Sequence, residues 1–102
     1  MVEPDFQETI EVLSQETARE VLKILDNDTK SVREVFEEIQ NTSKSLKYRE
    51  SVYKVLENLT EVGLVKKIRE GNSVRYRSKY YAIQADLLEE KLKLERGDSD
   101  EI

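Results

Sequence analysis

Hydrophobic side chains recur at every third or fourth position through the first part of the chain, a period that predicts amphipathic helices. We predict three of them, over about residues 5–13, 15–26 and 32–40. Ser31, with Glu34 three residues later, forms the capping-box arrangement that favours the start of the third helix. The first part of the chain is therefore expected to be helical.

A fourth helix is predicted over about residues 46–62, where the hydrophobic positions again have helical spacing. Before it, residues 41–45 are polar and rich in residues that cap helices and form turns. After it, Gly63 stands where a residue in the left-handed conformation commonly ends a helix. The third and fourth helices are thus predicted to be joined by a short polar turn.

The hydrophobic period changes to two between residues 64 and 80, which predicts a β-hairpin with its turn at residues 70–73. We predict that the cations of this hairpin share its outer face. They are Lys67, Arg69, Arg75, Arg77 and Lys79. Like charges opposite each other destabilise a sheet, so the pattern favours an anionic partner. The alternative is a basic edge that prevents aggregation between sheets.

A last helix is predicted over about residues 82–95, followed by a disordered acidic tail at residues 97–102. A chain of 102 residues has room for one modest core, so residues 1–96 are interpreted as a single domain. The expected fold is α+β and mostly α, with a two-stranded hairpin and a C-terminal dimerisation helix.

Composition removes several classes of chemistry. The chain has no cysteine and no histidine, so disulfides, zinc sites, iron–sulfur clusters and imidazole acid–base catalysis are excluded. We expect no enzymatic activity, no metal and no cofactor. The N-terminal residues lack a signal-peptide pattern, and no segment approaches the roughly 18 apolar residues of a membrane span, so a cytoplasmic protein is expected.

Charge is segregated along the chain although the formal net charge is only -5. Residues 1–42 carry a net charge of -7 and residues 81–102 carry -4. Residues 43–80 hold ten cations and four anions, for +6. A locally basic segment on an acidic chain is typical of a surface that binds nucleic-acid phosphates.

The third and fourth helices with their polar turn have the layout of a helix-turn-helix, whose second helix enters the major groove of DNA. The residues near its N-terminal half that could contact phosphates and base edges are Lys44, Lys47, Tyr48, Arg49, Ser51, Tyr53 and Lys54. Together with the five hairpin cations they form the predicted DNA-binding set. The alternative is that they are only the solvated face of a helix.

Apolar residues at both ends of the chain exceed what one small core needs. We predict that they form a homodimer interface about a two-fold axis. They are Phe6, Ile10, Ile83, Leu87, Leu88 and Leu92. The alternative is that the last helix folds back on its own domain.

Three segments resemble winged helix regulators of the ArsR type and related archaeal regulators. Residues 13–25 are similar to the opening of that family, residues 31–35 to the start of its positioning helix, and residues 53–65 to the end of its recognition helix. The resemblance covers about residues 5–95. It implies a winged helix-turn-helix fold, with the hairpin as the wing.

The resemblance also implies DNA contacts at Arg49, Ser51, Tyr53 and Lys54, at Lys47 near the helix start, and at Arg75 or Arg77 on the wing. Metal sensing in that family uses cysteine or histidine ligands, which are absent here, so a metal sensor is not expected. We predict a dimeric regulator that binds double-stranded DNA in a sequence-specific manner; its effector is unknown. The alternative is a winged helix module that binds other proteins in a transcription or chromatin assembly.

Overall fold

The computed structural model describes residues 3–26, 28–42 and 49–96. The elements in chain order are α1 (Phe6–Leu13), α2 (Glu16–Leu25), α3 (Val32–Thr42), α4 (Arg49–Glu61), β1 (Val65–Glu70), β2 (Ser73–Ser78), β3 (Tyr80–Asp86) and β4 (Lys91–Arg96). The mixed α+β architecture, with four helices followed by a hairpin, is confirmed. In the described ranges no helix is long and apolar enough to cross a membrane.

Local capping fixes the ends of several helices. The Ser31 hydroxyl accepts a hydrogen bond from the backbone N–H of Glu34 at 3.2 Å, and the Glu34 carboxylate accepts one from the N–H of Ser31 at 2.9 Å. This reciprocal pair is the predicted capping box at the start of α3. At the start of α1, the Asp5 carboxylate accepts from the N–H of Glu8 at 3.1 Å. These side chains satisfy donors that a helix start otherwise leaves unpaired.

The core lies between α2, α3 and α4 and the inner side of the first hairpin. Its fully buried side chains come from positions three or four apart on each helix, together with a leucine from the α4–β1 connection and one aromatic residue from β2. They are Val21, Leu25, Val35, Ile39, Val52, Leu56, Leu59, Leu64 and Tyr76. Helical periodicity therefore does place one face of each of these helices in the core.

Gly63 ends α4 with a backbone φ of 91°, a left-handed conformation that glycine adopts without strain. The N–H of Gly63 donates to the carbonyl of Thr60 at 3.1 Å, and the N–H of Leu64 donates to that of Leu59 at 3.0 Å. The chain then reverses into β1; Leu64 just before this strand and Val65 at its start are both buried. This tight connection sets β1 against α4.

The hairpin β1–β2 is antiparallel, and its register pairs Val65 with Ser78 and Glu70 with Ser73. Gly71 in the turn has a φ of 62°. On its other edge, β2 is bound by Lys30, whose N–H donates to the Tyr76 carbonyl at 2.9 Å and whose carbonyl accepts from the Tyr76 N–H at 2.8 Å. The segment between α2 and α3 thus anchors the hairpin to the helices.

The predicted helix over residues 82–95 is wrong, because this segment forms the second antiparallel hairpin, β3–β4. The side chains Ile83, Leu87 and Leu92 suit a helical stripe, which led to the helix prediction. Residues 91–94 nevertheless alternate strictly between lysine and leucine, a strand pattern. The C-terminal dimerisation helix is therefore absent, and the predicted tail at residues 97–102 lies outside the described residues.

The turn of the second hairpin is held by Asp86. One of its carboxylate oxygens accepts hydrogen bonds from the backbone N–H groups of Leu88 at 3.1 Å and Glu89 at 3.0 Å. Glu90 completes the reversal with a φ of 55°. A side chain that binds the backbone two and three residues later stabilises a turn and competes with helix formation.

Candidate nucleic-acid interface

The exposed side of α4 carries the predicted contact residues of this helix. Arg49, Tyr53 and Lys54 are exposed and Ser51 is half-buried. Val52 lies on the opposite side in the core. The first two turns of α4 therefore present a polar and aromatic stripe to solvent, as expected for a helix that contacts a macromolecule.

Three predicted contact residues, Lys44, Lys47 and Tyr48, lie outside the described residues. So does the predicted start of the fourth helix at residue 46. The described part of α4 begins at Arg49, which is therefore the first residue of the predicted set that the structure places on the helix.

The cations of the first hairpin do not share one face, so that prediction is wrong. Directly paired residues of an antiparallel sheet lie on the same face, and Lys67 pairs with Tyr76 while Lys66 pairs with Arg77. Lys67 and Arg69 thus lie on the inner face, and Arg75 and Arg77 lie on the outer face. Alternation within each strand was predicted correctly, but the register of the two strands was not.

Lys67 and Tyr76 connect the hairpin to α4 through Glu57. The carboxylate of Glu57 accepts a hydrogen bond from the Tyr76 hydroxyl at 2.6 Å, and the Lys67 ammonium lies 2.9 Å from the same oxygen. The hydrogen bond from Tyr76, and then the one from Lys67, lower the pKa of Glu57. Burial, together with the hydrogen bond to Glu57, raises the pKa of Tyr76. Much of the Lys67 charge is therefore compensated within the protein.

Arg75 connects the outer face of the hairpin to the start of α3. Its guanidinium donates to the Glu34 carboxylate at 2.9 Å and to the Thr29 carbonyl at 3.2 Å. The backbone N–H of Ser31, and then the Arg75 charge, lower the pKa of Glu34. Arg75 therefore interacts with two groups of its own chain.

No group of acidic side chains in the described ranges is arranged to bind a metal ion.

An open groove of about 850 Å³ lies at the base of the first hairpin, which we call the basic groove. It is lined by cations from β1, from the end of β2, from the β2–β3 connection and from β4, by apolar residues of β1, and by residues at the end of α4 and in the turn after it. The residues are Thr60, Gly63, Val65, Lys66, Lys67, Ile68, Arg77, Ser78, Lys79 and Arg96. Sequence reasoning missed Lys66 and Arg96, because the first depends on strand register and the second on the unpredicted β3–β4 hairpin.

The predicted dimer residues occupy different environments. Ile83 packs against the core, and Leu92 is half-buried. Leu87 is 66% exposed and Leu88 is 96% exposed, at the turn of the second hairpin. The two α1 residues, Phe6 and Ile10, are half-buried. The β3–β4 hairpin therefore exposes its apolar Leu87–Leu88 turn to solvent. The prediction had placed these two residues on a helix.

Four helices followed by a hairpin that packs on the last of them define a winged helix-turn-helix protein, with β1–β2 as the wing. The family model described as the penicillinase repressor matches residues 13–93. The chain belongs to the penicillinase repressor family. No curated protein matches it significantly.

Solved structures support this fold. An ArsR-like transcriptional regulator from Rhodococcus sp. RHA1 is 26% identical with a TM-score of 0.56, over 72% of this chain and 63% of that one. M. tuberculosis Rv0081 is 22% identical with a TM-score of 0.57, over 71% of this chain and 67% of that one. PerR of Streptococcus pyogenes, described as acting in peroxide sensing and gene regulation, is 16% identical with a TM-score of 0.58, over 78% and 60%. The resemblance to ArsR-type regulators is thus confirmed, and the match spans less than two thirds of the Rhodococcus chain.

Proposed function

We propose that this protein is a transcription regulator that binds double-stranded DNA in a sequence-specific manner as a homodimer. The observation that carries the proposal is the exposed stripe of Arg49, Tyr53 and Lys54 on α4, next to a wing rich in cations. Family membership and the ArsR-like Rhodococcus structure support the same role. The acidic net charge of the remaining chain would repel DNA and so confine binding to this region.

In the proposed complex, the first turns of α4 enter the major groove. Arg49 and Lys54 supply donors for phosphates or guanine edges, and Tyr53 supplies an aromatic contact. The dipole of α4 adds a favourable field for phosphate near Arg49. The predicted contacts of Lys44, Lys47, Tyr48 and Ser51 belong to the same proposal.

The wing is proposed to lie along the flanking DNA backbone or minor groove. Its cations Arg69, Arg77 and Lys79 are proposed to neutralise phosphates. Lys67 and Arg75 each lie within 3 Å of a carboxylate of their own chain. We therefore expect these two residues mainly to position the wing against α4 and α3.

The β3–β4 hairpin is the element we propose for dimerisation. Two-stranded hairpins are marginally stable unless another surface covers them. On one face, Ile83 pairs with Leu94 and packs on the core, while Ala85 pairs with Leu92 further out. A second copy of the chain, related by a two-fold axis, would cover the outer part of this face and the adjoining Leu87–Leu88 turn. Phe6 and Ile10 are proposed to extend the same interface.

The test is DNA binding measured by fluorescence anisotropy on the promoter upstream of its own gene and on a scrambled duplex. The unmodified chain should prefer the promoter, and affinity should fall as salt rises. Arg49→Gln and Lys54→Gln should each weaken binding. Lys23→Gln, at an exposed position of α2, is the control with the same charge change and should not weaken it. Binding to neither duplex at low salt would refute the proposal and favour a module that binds proteins.

A further inference from the structure

The strand β4 has one edge that is not paired within the domain. It pairs with β3 along one side, and among the described residues no strand lies along its other side. An uncovered edge presents a row of backbone donors and acceptors that can pair with another strand. The strand β3 is irregular between Tyr80 and Ala82, a feature that hinders pairing at its own edge. The regular edge of this hairpin is therefore that of β4.

The side chains of β4 alternate between a charged face and an apolar face. Lys91, Lys93 and Glu95 lie on one face, and Leu92 and Leu94 lie on the other. The two lysines are exposed, and the other three side chains are half-buried. Lysine on an edge strand normally discourages pairing with another strand. Here a glutamate follows four residues after the first lysine, so the edge carries both signs of charge.

This charge pattern is complementary to an antiparallel copy of itself. A two-fold axis perpendicular to the sheet pairs two copies of β4 antiparallel and keeps like faces together. With the axis at Lys93, Lys91 of each copy lies opposite Glu95 of the other. Leu92 then lies opposite Leu94 on the apolar face. Opposite charges directly across strands stabilise a sheet, so this register is favourable.

The neighbouring registers lose the match. An axis at Leu92 would place Lys91 opposite Lys93, and like charges in that position destabilise a sheet. An axis at Leu94 would leave Lys91 beyond the end of the paired strands. Registers between these would place charged side chains on the apolar face of the other copy. The sequence of β4 therefore fits a second copy in one register.

Glu95 is held in position for such a contact. Its carboxylate accepts a hydrogen bond from the Tyr81 hydroxyl of its own chain, which raises the pKa of Tyr81. A carboxylate has two oxygens and accepts hydrogen bonds from more than one donor. The bond to Tyr81 thus orients Glu95 and leaves it able to accept a lysine of a second copy.

We propose that β4 pairs with β4 of a second copy with the axis at Lys93, so that the two second hairpins form one four-stranded antiparallel sheet. The inference rests on the homodimer proposed above and adds to it the edge of β4 and a register. A sheet of four strands is more stable than a lone hairpin. Each exposed Leu87–Leu88 turn would come level with Arg96 of the other copy, where that hairpin joins its own domain.

Two charge-reversal variants test the pairing. Lys91→Glu and Glu95→Lys each turn both symmetric pairs from attraction to repulsion, so each alone should dimerise roughly tenfold more weakly than the unmodified chain. An equimolar mixture of the two variants should regain dimerisation, because a heterodimer again opposes a glutamate to a lysine at both places. Sedimentation equilibrium measures association in all the samples. Damage within one chain, such as loss of the Lys91–Asp86 pairing, would not be repaired by mixing.

Substitution of Lys93 tests the position of the axis. In the proposed register Lys93 faces its own copy, so Lys93→Gln should tighten the dimer about twofold by removing a repulsive pair. Lys93→Cys introduces the first thiol of a chain that has no cysteine. Directly opposed residues have Cα atoms about 4.5–5.5 Å apart, so oxidation should link two copies of this variant. Lys91→Cys is the matched control, because its thiols would be about 14 Å apart along the strands and should not link.

The outcomes separate the inference from the homodimer on which it rests. A dimeric unmodified chain without rescue on mixing, or with equal linking of Lys93→Cys and Lys91→Cys, would overturn the β4 pairing alone. Lys23→Glu makes the same charge change as Lys91→Glu at an exposed position of α2 and should leave association unchanged. An equal loss in Lys23→Glu would mean that association follows net charge and would also overturn the pairing. A monomeric unmodified chain would overturn the pairing and the homodimer together.

Discussion

The hydroxyl of Tyr76 provides a direct test of how the wing is fixed to the recognition helix. Its ring is fully buried, its backbone pairs with Lys30, and its hydroxyl donates to the Glu57 carboxylate at 2.6 Å. Tyr76→Phe removes the hydroxyl and keeps the ring and the backbone bonds. The change therefore isolates one hydrogen bond between β2 and α4.

The environment of Glu57 determines how much stability the Tyr76→Phe variant should lose. A hydrogen bond to a charged group contributes about 1.5–3 kcal/mol to the free energy of unfolding. The Glu57 side chain is 31% exposed, so water can partly replace the lost donor, and Lys67 remains beside it. We therefore expect the lower end, about 1.5 kcal/mol, which corresponds to a fall of roughly 6 °C or more in melting temperature for a domain of this size.

The dependence on pH has a definite sign. The folded-state pKa of Glu57 is lowered from its ordinary value of 4.5, so its stabilising contribution is complete above that value and is lost as pH falls through the folded-state pKa. The difference in stability between the unmodified chain and Tyr76→Phe should consequently be largest near neutral pH and should shrink on acidification below 4.5. Urea unfolding followed by circular dichroism, at one protein concentration, measures both quantities.

A double-mutant cycle with Glu57→Gln completes the test. The two side chains are in contact, so the combined loss should be smaller than the sum of the single losses at pH 7. Additive losses would show that the hydroxyl and the carboxylate do not interact. A stability difference that stays constant from neutral to acidic pH would refute the role assigned to the charged form of Glu57.

Three further predictions concern other parts of the fold. Thr9→Val should raise the free energy of unfolding by about 1 kcal/mol, because the buried Thr9 hydroxyl has no hydrogen-bond partner among the described residues. A lower free energy of unfolding, measured with urea, would contradict this. Gly63→Ala should lower stability by about 1–2 kcal/mol because its φ of 91° is strained for any other residue, and Gly63→Asn should lose less. Leu87→Ser/Leu88→Ser should weaken self-association in sedimentation equilibrium without changing helix content, and a monomeric unmodified chain would refute the dimer.

Features of the fold that depend on near neighbours could be predicted from the sequence. The capping box at Ser31 and Glu34, the left-handed Gly63 and the buried stripes of the helices all follow from side chains within one or two turns. Each is set by short-range geometry that a linear pattern records directly. The same holds for the exposed stripe at Arg49, Tyr53 and Lys54, since burial of one helix face exposes the other.

Features that depend on contacts between distant segments could not be predicted in this way. The sequence pattern does not decide which residue of β1 pairs with which residue of β2, and a shift by one residue exchanges the two faces of a strand. The observed register places Lys67 and Arg75 on opposite faces. The second hairpin arose because local turn formation at Asp86 and strand alternation at residues 91–94 outweighed a helical spacing of leucines. The basic groove is formed by both the β1–β2 register and the β3–β4 hairpin. Lys66 and Arg96 were therefore not predicted as site residues.

The basic segment at residues 43–80 was determined by the sequence alone, as were the helices before the wing and the exclusion of cysteine and histidine chemistry. Only the tertiary structure decided how the charges of that segment are used. It placed Lys67 beside Glu57, Arg75 beside Glu34, and Lys66 opposite Arg77. Composition fixes how many charges a chain carries, but pairing across sheets and between elements decides which of them are compensated and which remain available to a partner.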